Sequence, residues 1–126
     1  MNLEIEEGVS YGDIASVLYK VKARYAEEEG KLFGNLFRSN CFFVFERASP
    51  HFEVLAEHVA VEWKVGVRGS FNSPNSAMEE SWEDIKAFVA ALANDLDFKF
   101  VLSFQYEGVY VLNDEGGFKV VQNMFG

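Results

Sequence analysis

The side chains able to do chemistry are few and poorly matched to one another. His51 and His58 are the only two histidines, seven residues apart, and neither has a patterned nucleophile or metal ligand beside it. Their spacing matches no established zinc motif. Cys41 is the single cysteine. Flanked by Asn40 and Phe42 at a strand start, it reads as a small buried residue rather than a nucleophile. Glu53, Glu57 and Glu62 would form an acid/base pair only if they lined a common cavity, and surface carboxylates explain them without chemistry. Gly66, Gly69, Gly108, Gly116 and Gly117 sit where strands end or turn, and none forms a phosphate loop before a helix. The pattern points to no catalytic residue, metal or cofactor, so the chain reads as a non-enzyme.

What remains is acidic and aromatic. Glu79, Glu80, Glu83 and Asp84 cluster at the start of the second helix, Asp114 and Glu115 crown the last turn, and Asp95 and Asp97 lie where that helix feeds the final strands. Twenty acidic against eleven basic residues leave a net charge of -9. A surface of that sign repels phosphate backbones and anionic lipids and attracts basic proteins and cations. Nucleic acid and membrane are therefore set aside as partners. With Tyr106, Tyr110 and Trp63 nearby, the clusters form a candidate surface for a basic protein, charge speeding the encounter and aromatic burial holding it. Helix starts also favour acidic residues for stability alone, and added carboxylates help solubility.

These residues need a scaffold, and Phe98 to Val121 supplies its clearest part. Phe98, Phe100, Leu102, Phe104 and Tyr106 fall on every second position, the period of a strand. Glu107-Gly108 and Asn113 to Gly117 then punctuate the run, which predicts a three-stranded antiparallel meander with one aromatic face. The helix before it, from about Ser76 or Ser81 to Leu96, buries Trp82, Ile85, Val89, Leu92 and Leu96 with Phe88 at the margin, and Ser81-Trp82-Glu83-Asp84 resembles its cap.

Upstream, Ser10 to Asp13 can cap a first helix, and Ile14, Val17, Leu18, Val21 and Tyr25 carry its stripe to about Glu28, with Gly30 as its stop. Lys31 to Asn40 fits either a short helical face or a turn. Cys41 to Arg47 is an aromatic strand well inside a sheet, ended at Ser49-Pro50. From His51 to Gly69 the apolar parity switches, so a bulge or turn near Leu55 to Glu57 is expected, followed by an amphipathic strand through Val59, Val61, Trp63, Val65 and Val67 that points Glu62, Lys64 and Arg68 to solvent. Gly69 to Asn75 reads as a loop with Phe71 tucked into the core edge.

The order is α+β: a largely antiparallel sheet of about five to seven strands with two main helices packed on it, in a single domain over residues 1–126. A chain of 126 residues buries roughly two-thirds of its unfolded surface, enough for one sizeable core. One cysteine, no basic-then-apolar leader in Met1 to Glu7 and no apolar run near about 18 residues suggest the cytoplasm.

Helix Ser81-Trp82-Glu83-Asp84-Ile85-Lys86-Ala87-Phe88-Val89 running into Phe98-Lys99-Phe100-Val101-Leu102, then Gly108-Val109-Tyr110-Val111-Leu112-Asn113-Asp114, in a small acidic α+β chain, resembles the bacterial immunity proteins that neutralise nuclease or other toxins, including those of contact-dependent growth inhibition. The likeness is one of general character, and these proteins share no signature, so no residue is carried across. It implies one-to-one binding of a cognate basic toxin that blocks its active site or substrate path. Two other classes fit the same features. One is a small-ligand-binding or lyase-like cone domain with an apolar pocket near Glu62, His58 or Tyr106. The other is a structural or adaptor subunit, a homodimer through the edge strand Phe118 to Val121.

Overall fold

A computed structural model describes residues 1–125. The first surprise lies at the start of the chain. Asn2–Glu6 forms a strand, β1, with Leu3 and Ile5 buried on one face and Glu4 on the other. The remaining elements are α1 (Tyr11–Lys20), β2 (Arg24–Glu28), β3 (Lys31–Asn35), β4 (Phe42–Arg47), β5 (Val65–Asn72), α2 (Met78–Asp95), β6 (Phe100–Phe104), β7 (Gly108–Asp114) and β8 (Gly117–Val120). All eight strands join one sheet in the order β2-β3-β4-β5-β1-β6-β7-β8, so the sheet exceeds the expected five to seven strands. Every neighbouring pair is antiparallel. β1 joins the two halves, pairing with β5 on one side and β6 on the other.

The two helices share a core with one face of this sheet. From α1 come Tyr11, Ile14, Val17 and Leu18, and from α2 Trp82, Ile85, Phe88, Val89 and Leu92. Phe43, Phe45, Val67, Phe71, Phe100 and Leu102 belong to the same cluster. Phe45 sits at its centre, with ring centroids 5.6 Å from Phe43, 6.0 Å from Phe71 and 5.9 Å from Phe88. Its ring lies over Gly69, where an added Cβ would collide with it. Phe88 is thus central to the stripe rather than marginal.

Several boundaries differ from the sequence reading. The first helix stops at Lys20, not Glu28, and Arg24–Glu28 returns as an edge strand. Lys22 takes a left-handed φ of 64° just after the helix end, and Glu29 and Gly30, at 52° and 78°, make the tight turn into β3. Two successive left-handed residues are what a two-residue hairpin requires. Tyr25 matched the helical period but lies exposed on β2. The undecided segment after Lys31 resolves into β3 and a turn, closed by Leu36 N–H donating to the Cys41 carbonyl at 2.9 Å.

Gly69 to Asn72, expected as loop, continues β5, because β1 and β4 pair with it on both sides and supply ladder bonds that outweigh a Gly/Ser/Asn composition. Phe71 is buried as expected. Ser81 does not cap α2: it lies inside the helix, its Oγ donating back to the Ala77 carbonyl at 2.7 Å. Ser10 does cap α1, in a reciprocal pair with Asp13.

The largest difference concerns residues 48–64, which contain no strand. Instead of running Val59 to Val67 as an amphipathic strand, the chain crosses the sheet's second face as an irregular strap and pairs only from Val65. Glu4, fully buried, holds it there: its carboxylate accepts N–H bonds from Leu55 at 2.8 Å and Ala56 at 3.0 Å, and from Arg68 Nε at 3.2 Å. Arg68 is therefore not solvated. It also donates to the carbonyls of His51, at 2.6 Å, and Glu53. Val101 and Ser103, register partners of Glu4 and Asn2, are buried on the same face. Among the described residues, no helix is long and apolar enough to cross a membrane.

Candidate functional site

The structure separates the acidic residues into two places. Glu79, Glu80 and Glu83 are exposed on the first turns of α2, and Asp114 and Glu115 lie in the turn after β7, where Glu115 approaches Lys99, just past the opposite end of that helix in the chain. Asp84, in the same cluster by sequence, has turned to another task. It accepts the backbone N–H groups of Arg38 at 3.0 Å and Ser39 at 2.8 Å and the Ser39 hydroxyl at 2.7 Å, pinning the turn between β3 and β4.

At the α2 start, Glu83 pairs with Lys86 at 3.1 Å, and the Lys86 ammonium stands 5.4 Å from the Trp82 ring centroid. Tyr110 meets the same indole edge-on at 5.7 Å, so Tyr110 serves as the helix's packing partner on the sheet. Beside it, Met78 and Phe104, both exposed, line a cleft of about 270 Å³.

At the other end the geometry is concave. A groove of about 640 Å³ gathers Glu6, Glu62, Asp114 and Glu115 around Trp63. Lys99 and Lys119 are the cations of its lining, giving four carboxylates against two ammonium groups. Lys99 Nζ lies between Glu6 at 3.8 Å and Glu115 at 3.9 Å, contacts long enough for another cation to compete. Asp114 accepts the Gly116 N–H at 2.8 Å, which shapes the turn that lines the groove. The Trp63 indole N–H is buried with no partner among the described residues. Asp95, near this end of α2, takes both Lys20 contacts at 2.9 and 3.1 Å, and that hydrogen bonding holds its carboxyl below the usual aspartate value.

Tyr106 belongs to neither place. It lies on the strap side of the sheet, where burial and the nearby Glu4 charge push its phenol up. Of the other chemical candidates, His51 contributes its backbone carbonyl to Arg68, and His58 is an exposed strap residue with a φ of 63°. Glu62 lines the acidic groove, which neither Glu53 nor Glu57 lines. No three His, Cys, Asp or Glu side chains among the described residues are arranged to hold a metal. Cys41 is fully buried, its sulfur 3.9 Å from the Ser73 hydroxyl, and desolvation pushes its thiol up, away from nucleophilic use.

Sequence reasoning missed Glu4 and the strap it anchors. The alternation Asn2-Leu3-Glu4-Ile5-Glu6 is a strand signal that would have found β1. Missed too was the register row that crosses five strands as Glu28, Lys31, Glu46, Arg68 and Glu4, alternating in sign at every step. That row arises only once the strands are aligned. No protein-family model, curated protein or solved structure matches the chain.

Proposed function

We propose that this chain is an immunity-type inhibitor that binds a basic toxin domain one-to-one in the cytoplasm and blocks it by occupying its active site or substrate path, without catalysis of its own. One observation carries the reading: the acidic groove around Trp63, where Glu6, Glu62, Asp114 and Glu115 face two lysines across a concavity sized for inserted side chains. A Lys or Arg of the partner entering there would lie near the indole and displace the weak Lys99 contacts, combining ion pairing with cation–π attraction. The exposed Glu79, Glu80 and Glu83 at the far end of α2 extend the negative field and favour the same encounter.

The test begins with the tagged protein expressed together with the genes that flank it. A stoichiometric basic partner, toxic when expressed alone, is expected to remain bound at moderate salt. Surface-plasmon resonance with Glu62→Lys/Glu115→Lys should then show association slowed by about tenfold or more and a flatter salt dependence, with circular dichroism unchanged. The triple Glu79→Lys/Glu80→Lys/Glu83→Lys should have a smaller effect. Unchanged association in both variants, or no basic partner at all, would refute the proposal.

A further inference from the structure

The sheet ends in two edge strands, β2 and β8, and the two differ in what each would meet if a second copy of the chain paired with it. β2 is exposed at all five of its residues, so no other element among the described residues covers its outer side. Its hairpin with β3 fixes which backbone groups are free. The two-residue turn at Glu29 and Gly30 makes Glu28 and Lys31 the hydrogen-bonded pair that closes it, and hydrogen-bonded and non-hydrogen-bonded pairs then alternate along the ladder. Ala26 and Arg24 therefore also bond to β3, while the N–H and C=O groups of Tyr25 and Glu27 point outward, a template for a further strand.

The charges along this edge are also incomplete. Arg24, Ala26 and Glu28 share one face with their register partners Asn35, Phe33 and Lys31, the face opposite buried Leu32 and the helices. The row of alternating sign that runs through Glu4, Arg68, Glu46, Lys31 and Glu28 stops there on an acid. Lys31 gives its contact to Glu46 at 3.2 Å, and among the described residues neither Glu28 nor Arg24 has an ion-pair partner.

We propose that this edge binds a second copy of the chain, β2 against β2, about a two-fold axis at Ala26. Tyr25 then exchanges two backbone hydrogen bonds with the partner's Glu27, and Glu27 exchanges two with the partner's Tyr25, which occupies the outward groups of both strands. Ala26 meets the partner's Ala26 in a non-hydrogen-bonded pair, where Cα atoms come to about 4.5 Å and a small side chain fits. Arg24 stands opposite the partner's Glu28, and Glu28 opposite the partner's Arg24, so the alternating row takes one more step across the axis and both unpaired charges are matched. On the same face Ala26 continues the row of Phe33 and Val44, both half-buried, and the apolar strips of the two copies join.

β8 offers no such fit. The Val121 N–H donates to the Tyr110 carbonyl at 2.8 Å, and alternation from that pair turns the Lys119 backbone inward and those of Phe118 and Val120 outward. Pairing Phe118 with the partner's Val120 about a two-fold axis sets Lys119 directly against the partner's Lys119, like charges at the closest approach. The acidic groove around Trp63 lies toward this β8 end, so pairing through β2 leaves it open in both copies and does not depend on the inhibitor reading.

The experiment is sedimentation equilibrium of the full chain from about 5 µM to about 1 mM at about 0.15 M salt, where repulsion between two net charges of -9 is screened beyond about 8 Å. A reversible monomer–dimer equilibrium is expected. Arg24→Glu and Glu28→Arg should each weaken it by about tenfold or more, because each sets like charges opposite one another at both symmetric positions. Mixed in equal amounts, the two variants should form a heterodimer tighter than either forms with itself, since every acid then faces a base; a variant that had only lost its fold would not be rescued. Ala26→Cys in a Cys41→Ala background should oxidise to a covalent dimer, the two Cα atoms lying within the span of a disulfide. A monomer throughout the concentration range, a dimer unaffected by both charge variants, or a mixture that stays monomeric would overturn the proposal.

Discussion

Replacing Glu4 by Leu should release the strap from the sheet, and the size of the effect follows from what its carboxylate touches. The substitution removes the acceptor of three donors: the N–H groups of Leu55 and Ala56 and Arg68 Nε. Ala56 is buried, so its N–H is stranded at a cost of about 1–3 kcal/mol, whereas Leu55, half exposed, can turn to water. Arg68, only 16% exposed at its side chain, loses its counter-charge, and breaking a buried pair from one side costs about 3–5 kcal/mol. These terms overlap, and Arg68 keeps its His51 and Glu53 carbonyls. A net loss of about 4 kcal/mol is expected, read by urea denaturation, with a fall in Tm of about 10–20 °C. Hydrogen exchange at Ala56 and Glu57 should accelerate more than at the β6 amides. Adding Arg68→Met should restore much of the loss, since an apolar pair of similar volume leaves no orphan charge. A loss under about 1 kcal/mol with Ala56 exchange unchanged would refute the view that this carboxylate holds the strap.

Three further outcomes test the local assignments. Ser10→Ala should cost about 1 kcal/mol, because it removes the hydroxyl that caps α1, whereas Ser81→Ala should cost less than about 0.5 kcal/mol, since Ser81 sits within α2 and only bonds back to Ala77; equal costs in thermal denaturation would contradict that distinction. Burial raises the Cys41 thiol pKa in the folded chain, so the unfolded state deprotonates first: the associated stability is complete below about pH 8.5 and declines as pH rises above it, a decline in urea midpoint that Cys41→Ala should reduce. The same thiol should react with a disulfide reagent at pH 8 at least about 100-fold more slowly in the native than in the unfolded protein, as measured by thiolate release.

Period-2 and period-3.6 patterning made the α+β class, the β6–β8 meander, strand β4 and the buried stripe of α2 legible from residues alone. Strand β4 and helix α2 advertise themselves because one face meets a core and the other does not, whereas β6, buried on both faces, and β8, exposed on both, are marked by alternation and by the turn residues between the strands. The pattern failed at β2 and on the strap. β2 is exposed throughout, so Arg24 to Glu28 carries no burial signal and its residues read as more of the preceding helix. Val59 to Trp63 alternates like a strand yet finds no open side on β5, the strand it leads into, because β4 and β1 already flank it. The acidic character of the surface was likewise readable from composition, but its division was not. Asp84 and Glu83 are neighbours in the chain, and only the turn after β3, arriving with two N–H groups and a hydroxyl, diverts Asp84 from solvent.

The sequence by itself determined which segments could bury a face and what charge the molecule presents, because periodicity and ionisation are local properties of the chain. The tertiary structure alone decided that Glu62 and Trp63 on the strap meet Asp114 and Glu115 across a groove, and that Lys31 pairs with Glu46 beside Phe33 and Val44 on the sheet face opposite the helices. Strand order and register set those distances, and they depend on pairings between residues as far apart in the chain as Glu4 and Val101.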